Sequence, residues 1–209
     1  MDADPTNVKS STQRAPERHR IGLFGGSFNP VHKGHLLVAQ AAKENLELDR
    51  LYFIPAARSP FKPDMKLAPD RLRVRMLRLA LAGHTDCEVD LQELCRGGLS
   101  FTIDTVMDYA DRLPGAKIFY LIGADHVALL PKWREAKKLA ELVDFAILSR
   151  LDAVIPASTD PFRTHLLDGL SCGISSSNIR ARVRSSLPLD HLVPKSVAEV
   201  IFEQKLYFT

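Results

Sequence analysis

The chain has 209 residues, of which 45% are hydrophobic and 25% charged, a balance that fits a soluble globular protein and excludes a largely disordered or fibrous one. The net charge of +3 gives no reason to expect a nucleic-acid partner, and no apolar run approaches the ~20 residues that span a bilayer. Three cysteines (Cys87, Cys95, Cys172) without zinc or disulfide spacing, and a polar N-terminus without the apolar core of a signal peptide, predict a cytoplasmic protein with no membrane partner.

The chain is predicted to begin with a flexible segment. Residues 1–19 carry charges, Ser, Thr and Pro but no apolar periodicity, which is typical of a flexible extension. The remaining residues, 20–209, have a suitable length for one domain. We therefore expect a single folded domain after the extension.

Beyond the extension, strand-like apolar runs alternate with helix-like segments. The predicted strands lie near Ile21–Phe24, Leu51–Ile54, Cys87–Leu91, Ile118–Ile122 and Phe145–Leu148. The predicted helices are Gly34–Leu46, Ala68–Ala82, Thr102–Leu113, Lys132–Leu142, Ser177–Ser185 and Lys195–Gln204. This alternation indicates βαβ units, so the predicted fold class is α/β with a doubly wound parallel sheet.

The second predicted helix carries two side-chain stripes at helical spacing. The apolar stripe, predicted to face the core, consists of Leu72, Met76 and Leu79. The basic stripe, predicted to be a solvated face, consists of Arg71, Arg75 and Arg78. Before this helix, residues 58–69 hold three prolines among basic residues and predict a surface loop. Because ligands bind outside the carboxyl ends of parallel strands, this loop is either a lid or substrate contact, or a plain connector.

The segment GLFGGSFNPVHKGH, residues 22–35, lies between the first strand and the first helix. Gly25 and Gly26 can let the backbone pass close to a ligand and adopt angles barred to other residues. The N-terminus of the following helix offers unpaired N–H groups and the positive end of a dipole. The segment therefore predicts a phosphate-binding site.

Two histidines of this segment, His32 and His35, are three residues apart. If the helix has begun, they lie on one face, one turn apart. Each imidazole can donate an N–H to a phosphate chain, and a protonated ring would add charge where pyrophosphate leaves. A metal site is the competing interpretation, but two histidines supply too few ligands for zinc, so we predict no metal site.

The segment GGSFNPVHKGHL, which contains these glycines and histidines, resembles the signature of the HxGH nucleotidyltransferase superfamily. From Ile21 onward the chain is more narrowly similar to the bacterial nicotinate-nucleotide adenylyltransferase family. The resemblance implies a Rossmann-like nucleotidyltransferase fold and an enzyme that transfers the adenylyl group of ATP to nicotinate mononucleotide. The products would be nicotinate adenine dinucleotide (deamido-NAD) and pyrophosphate, as a step of NAD biosynthesis.

Four further segments resemble motifs of this family. ISSSNIR (174–180) is similar to ISSTxIR, IGAD (122–125) to the GxD element at the ATP ribose, LSFT (99–102) to PSYT, and PKW (131–133) to the segment whose tryptophan stacks on the nicotinate ring. The resemblance assigns catalytic roles to His32, His35 and Arg180. It assigns ATP binding to Gly25, Gly26, Ser27, Phe28, Gly34, Gly123, Asp125, Ile174, Ser175, Ser176 and Ser177, and acceptor binding to Lys62, Thr102 and Trp133.

Read from chemistry alone, two of these segments have a second interpretation. The serines that open a helix near Ser175 can supply an N-cap as well as hydroxyls for phosphate, and Arg180 follows one turn later. Thr102 or Ser100 can equally cap the helix that follows them, and Trp133 can simply pack at a helix start.

The chain departs from the family pattern on the acceptor side. Phe61 replaces the histidine of the PPHK motif, Phe101 replaces the tyrosine of PSYT, and Arg134 follows Trp133 where tyrosine is common. Asn29 occupies the position of the usual aspartate after GGSF, so we assign no general base.

No carboxylate cluster stands out in the sequence, so Mg²⁺ is expected to arrive with ATP. The sequence leaves open nicotinamide mononucleotide or phosphopantetheine as the acceptor, and a non-catalytic nucleotide-binding regulator. A nucleic-acid-binding module is the weakest alternative. The sequence also leaves open whether the protein forms a homo-oligomer.

Overall fold

The computed structural model describes residues 19–61, 64–148, 158–168 and 173–208. In these ranges the strands are β1 (Arg20–Gly26), β2 (Arg50–Pro55), β3 (Cys87–Val89), β4 (Lys117–Gly123), β5 (Asp144–Leu148) and β6 (Thr164–Leu167). The α-helices are α1 (Lys33–Leu46), α2 (Asp70–Ala80), α3 (Gln92–Arg96), α4 (Thr102–Arg112), α5 (Ala136–Leu142), α6 (Ser176–Arg184) and α7 (Lys195–Glu203), and Ala124–Lys132 form a 3₁₀ helix.

The six strands form one sheet in the order β3-β2-β1-β4-β5-β6. Every neighbouring pair is parallel. The strand order reverses between β1 and β4, and such a switch point opens a crevice at the carboxyl ends of the strands. The predicted α/β doubly wound sheet is therefore confirmed.

Both faces of the sheet are covered by helices, as parallel sheets require. Alternate strand residues such as Phe24 and Phe119 pack against α1, α2, α6 and α7. Their neighbours, such as Leu23 and Ile118, pack against α4, α5 and the 3₁₀ helix. The period of two along each strand thus divides the apolar residues into two cores, one on each face of the sheet.

Several element predictions need correction. The strand β6 and the short helix α3 were not predicted, and β3 ends at Val89, two residues before the predicted end. The predicted helix Lys132–Leu142 is wrong in its first turn, because the 3₁₀ helix ends at Lys132 and Trp133 is extended, with φ −70° and ψ 151°. The α-helix begins only at Ala136.

In α2 the basic stripe is exposed as predicted, but the apolar stripe is only partly correct. Leu72 and Met76 are buried, whereas Leu79 is 37% exposed. Leu77 and Ala80 take the remaining core positions. The same helix contains Arg73, a fully buried arginine that the stripes did not reveal.

The predicted loop 58–69 contains no helix or strand at residues 58–61 and 64–69, as expected. Residues of its two ends and of the start of α2 line a cavity of about 410 Å³. The predicted extension lies outside the described residues apart from His19, so both it and the division into domains stay predictions. Among the described stretches, no helix is long and apolar enough to cross a membrane.

Candidate active site

The phosphate-binding segment begins at the end of β1, at the switch point of the sheet. A Cβ on Gly25 would collide with the hydroxyl of Tyr120, and one on Gly26 would lie 3.2 Å from the ring of Phe28. The expectation that these glycines adopt barred backbone angles is wrong, because neither has a positive φ. Phe28 has the positive φ instead, 41°, and space rather than conformation explains both glycines.

His32 and His35 together cap the N-terminus of α1. The backbone N–H of His35 donates to Nδ1 of His32 (3.3 Å), and the backbone N–H of His32 donates to Nδ1 of His35 (3.2 Å). This is a capping box in which imidazoles replace the usual serine and glutamate. Because each Nδ1 accepts a hydrogen bond, the proton of each neutral ring is on Nε2.

The two imidazoles are stacked, with centroids 3.6 Å apart and planes at 27°. The rings lie together as the sequence predicted, but the helix begins at Lys33 and His32 precedes it as the N-cap, so the capping box rather than a shared helix face brings them together. Two positive charges this close would repel each other. Together with the hydrogen bond that each Nδ1 accepts, this repulsion favours neutral rings that donate from Nε2, one of the two forms that the sequence left open.

Gly34 lies against the ring of His32, and its lack of a side chain leaves space for that ring. A Cβ on Gly34 would lie 3.0 Å from Nδ1 of His32 and 3.5 Å from Cβ of Ile174. The first distance is tighter than an ordinary contact, whereas the second is an ordinary van der Waals contact, so the absence of a side chain at this position matters for the His32 ring.

The helix α6 is joined to the same segment by its first turn. Ser175 caps the helix by accepting from the backbone N–H of Asn178 (3.1 Å), which confirms the capping role. The hydroxyl of Ser176 donates to the carbonyl of Pro30 (2.8 Å). The N-termini of α1 and α6 therefore lie against one stretch of chain.

Arg180 is oriented by two contacts within this group. Its Nη1 donates to the carbonyl of Asn29 (2.8 Å), and its Nη2 donates to the hydroxyl of Ser177 (3.2 Å). Burial lowers the pKa of Arg180 below its ordinary value, although a guanidinium stays protonated in proteins. A fixed positive charge thus lies beside the backbone that leads into the histidine pair.

Gly123 ends β4 on the other side of the switch point, and Asp125 lies in the 3₁₀ helix that follows. A Cβ on Gly123 would collide with the Asp125 carboxylate, which is 64% exposed and 4.0 Å from Nε2 of His126. Among the described residues, no hydrogen bond or ion pair links Asp125 to the phosphate-binding segment. Its role at the ribose stays a prediction.

Two of the three predicted acceptor residues, Thr102 and Trp133, lie next to Tyr120, which the sequence did not single out. The hydroxyl of Thr102 donates to the hydroxyl of Tyr120 (3.4 Å), and the rings of Tyr120 and Trp133 are 6.2 Å apart. Burial, together with the charge of Glu93, raises the pKa of Tyr120, so this hydroxyl stays protonated. The hydroxyl of Tyr120 lies between Thr102 and Gly25, so Tyr120 connects the acceptor residues to the phosphate-binding segment. Its position in an apolar strand made it resemble a core residue.

Other acceptor-side predictions have mixed outcomes. Neither Ser100 nor Thr102 caps α4, because Phe101 is the N-cap residue and no side chain bonds the cap. Ser100 instead accepts from the backbone N–H of Ala57 (3.0 Å) at the start of the loop. Lys62 lies outside the described residues.

The three acceptor-side departures from the family pattern, Phe61, Phe101 and Arg134, contact each other or Trp133. The guanidinium of Arg134 lies 4.8 Å from the ring centre of Phe101 and 3.7 Å from the carboxylate of Asp104. The ring of Phe61 lies 5.9 Å from that of Trp133. The substitutions therefore form an aromatic and cationic rim on the acceptor side.

Within the described part of the chain, no group of three or more His, Cys, Asp or Glu side chains is arranged to hold a metal ion. Of the other predicted site residues, Ser27 and Phe28 directly follow β1, and Gly34 lies in the first turn of α1. Their individual roles stay predictions.

Comparisons with known proteins agree with this geometry. The model of the cytidylyltransferase-like family matches residues 23–182. A "probable nicotinate-nucleotide adenylyltransferase" of Opitutus terrae is 42% identical over 90% of this chain and 97% of its own length. A relative of the same name from Bacillus pumilus is 38% identical over 90% of this chain and 98% of its own length.

Solved structures support the same fold. The nicotinic acid mononucleotide adenylyltransferase of Plasmodium falciparum, complexed with NaAD, has a TM-score of 0.75 at 20% identity, covering 91% of this chain and 98% of that one. The Rossmann-like nucleotidyltransferase fold is thereby confirmed. On the family match and the extent of the sequence identity, the chain belongs to the cytidylyltransferase-like family and, within it, to the nicotinate-nucleotide adenylyltransferases.

Proposed function

We propose that the protein transfers the adenylyl group of ATP to nicotinate mononucleotide, giving nicotinate adenine dinucleotide and pyrophosphate. The observation that carries this proposal is the meeting of two helix N-termini, α1 and α6, at one segment that bears paired imidazoles and a guanidinium. Such an arrangement suits a phosphate chain. The relatives' name supports the choice of acceptor.

The reaction is an in-line displacement at the α-phosphorus of ATP. A phosphate oxygen of the mononucleotide supplies the electron pair for the new P–O bond. The bond from the α-phosphorus to the oxygen bridging to the β-phosphorus breaks, and its electrons leave with pyrophosphate. A phosphate dianion needs little activation as a nucleophile, so no general base or covalent enzyme intermediate is required.

The chain's contribution is to position and stabilise the reacting phosphates. Nε2–H of His32 and His35 would donate to the phosphate oxygens on which charge develops, and Arg180 would add a fixed positive charge. The helix dipoles of α1 and α6 act in the same direction. Mg²⁺ carried on ATP would neutralise part of the triphosphate charge.

The acceptor is proposed to bind on the Tyr120 side of the crevice. Trp133 would stack on the pyridine ring of the acceptor, because aromatic rings pack favourably in an offset stack. Thr102 would contact the ring substituent, and Lys62 of the loop would offer charge to the acceptor phosphate. The protein would act in the cytoplasm, a location that the free thiols of Cys87 and Cys95 suit.

One assay tests the function and the acceptor together. Pyrophosphate release would be measured with ATP and, in turn, nicotinate mononucleotide, nicotinamide mononucleotide and phosphopantetheine, and compared as kcat/KM. We expect the highest value for the nicotinate nucleotide. Equal values for both pyridine nucleotides would contradict the specificity. No pyrophosphate with any acceptor would favour a non-catalytic nucleotide-binding regulator.

A further inference from the structure

Asn29 is a fully buried side chain that connects three parts of the chain. Its Oδ1 accepts from the backbone N–H of Ala68 (3.0 Å) and from the hydroxyl of Tyr207 (2.9 Å), and its Nδ2 donates to the carbonyl of Lys66 (3.3 Å). Its own carbonyl accepts from Arg180. Asn29 therefore links the phosphate-binding segment to the loop before α2 and to the chain after α7.

Tyr207 reaches Asn29 from 178 positions later in the sequence. Its backbone has a φ of 68°, which is unfavourable for a bulky residue and persists only where the surrounding contacts fix it. The ring packs against the core formed with α1, α2, α6 and α7, and burial raises the pKa of its hydroxyl. The hydroxyl is thus a protonated donor, aimed at a buried oxygen.

A second contact, made by Arg73, holds the backbone of the phosphate-binding segment in place. Arg73 is fully buried, and its Nη1 donates to the carbonyl of Ser27 (2.7 Å), two residues before Asn29. Its Nη2 donates to Asp70 (2.6 Å). The backbone from Ser27 to Asn29 is therefore held by side chains that lie outside the phosphate-binding motif.

We propose that Tyr207 is a positioning residue for adenylyl transfer, which acts by holding Asn29 and, through the Asn29 carbonyl, the guanidinium of Arg180. The inference rests on the proposed function. Small displacements of a group that contacts the reacting phosphates reduce the rate strongly, because the donors must match the transition state. Arg73 provides an independent support of the segment, so loss of the Tyr207 hydroxyl weakens the arrangement without abolishing it.

The test compares two substitutions that each remove one tyrosine hydroxyl from the full-length protein. Tyr207→Phe keeps the ring and removes the donor to Asn29. Tyr109→Phe is the matched control: its hydroxyl donates to Asp90 (2.6 Å) from α4, on the opposite face of the sheet. Turnover of the native protein is measured first, so failure of the function itself is distinguished from failure of this inference.

We expect Tyr207→Phe to lower kcat about fivefold, the effect of one neutral hydrogen bond, with nearly unchanged KM for the mononucleotide. Tyr109→Phe should keep the native kcat and lose thermal stability instead. Native kcat in Tyr207→Phe, or an equal loss in both variants at a temperature where both are folded, would overturn the inference.

A double-mutant cycle examines whether the effect passes through Arg180. If Tyr207 holds Arg180 by way of Asn29, Tyr207→Phe should reduce kcat less in an Arg180→Lys background than in the native one. The same fivefold reduction in both backgrounds would mean that the effects are independent, and would contradict the proposal.

Discussion

At the scale of single residues, the strained backbone of Phe28 shapes the phosphate-binding segment. Phe28 has a φ of 41° and is 1% exposed. Its ring packs against Phe24 at 5.6 Å, Phe53 at 5.7 Å and His35 at 5.0 Å. Strain of this kind persists where packing fixes it, and it is frequent at functional sites. The core thus sets the direction in which the segment enters α1.

His35 is expected to act on the rate rather than on substrate affinity. In His35→Ala the donor to the developing pyrophosphate charge is lost, and we expect kcat to fall by about 10² to 10³, as for other preorganised donors. Steady-state pyrophosphate release measures this loss. A rise in KM at native kcat would instead indicate uniform binding and contradict the role.

The matched variant His35→Glu separates catalysis from capping. Glutamate at the third helical position completes a capping box with the N-cap backbone N–H, so the free energy of unfolding should stay within about 1 kcal/mol of the native value. The imidazole donor is nevertheless gone, and kcat should fall at least as far as in His35→Ala. Substantial turnover in His35→Glu would show that the imidazole is dispensable.

The sequence can identify a site residue when that residue lies in a short motif, and cannot when distant parts of the chain bring it to the site. His32, His35 and Arg180 lie in short motifs, and the structure brings them together. Arg73 and Tyr207 approach the same segment from elsewhere in the chain. The residues next to Arg73 and Tyr207 in the sequence do not predict these contacts, because only the fold brings the two side chains to the segment.

At the scale of elements, the start of α1 combines a helix cap with a predicted catalytic pair. The same Nδ1 atoms that satisfy the first N–H groups of the helix fix the orientation of both imidazoles. The stability of the helix and the orientation of the two imidazoles therefore depend on the same few atoms. A methyl group added next to these atoms should change the orientation more than the stability.

Gly34→Ala tests this dependence. Alanine favours a helix over glycine by about 1 kcal/mol, which is similar to the cost of weakening the His32 cap, so the melting temperature should change little. The new Cβ would lie 3.0 Å from Nδ1 of His32 and displace that ring, and we expect kcat to fall about tenfold. Gln40→Ala, at an exposed position of the same helix, is the control and should keep its native rate. Native kcat in Gly34→Ala would mean that the orientation of His32 does not matter.

Periodicity and motif position were sufficient for most of the sheet, and failed where elements are short or end irregularly. β6 has four residues, of which only Leu167 is buried, so it shows neither an apolar run nor a clear period of two. The error at Lys132 arose because Pro131 lies inside the 3₁₀ helix, and proline interrupts the backbone hydrogen bonds on which a continuous α-helix depends. In α2, Leu79 fits the apolar spacing, but Leu77 and Ala80 occupy the core.

At the scale of the whole molecule, the two edges of the sheet have different chemistry. The carboxyl edge carries the candidate site. At the amino edge, the carboxylate of Asp144 contacts Lys117 (3.1 Å), Arg163 (2.5 Å) and His165 (2.7 Å). Lys117 lies on β4, Arg163 just before β6 and His165 within β6, so one buried carboxylate joins three neighbouring parts of the sheet.

Asp144 should make the protein sensitive to acid. Burial alone would raise its pKa, but hydrogen bonds from His165, Arg163 and Lys117 outweigh burial and hold the pKa below its ordinary value of 3.8. Because the folded state binds the proton less readily than the unfolded state, this stabilisation is fully present above the unfolded value. It is lost as the pH falls through the folded one.

We therefore expect Asp144→Asn to lower the free energy of unfolding by about 2 kcal/mol near neutral pH, where the charge-assisted hydrogen bonds of a carboxylate are lost. The difference between native and variant should shrink as the pH falls below 3.8, since the native carboxyl then becomes neutral too. Urea unfolding at neutral and acid pH measures both values, with the exposed Asp190→Asn as a control that should match the native protein throughout. A constant difference across this range would contradict the assignment, because only a carboxylate that is charged in the folded state can produce the convergence.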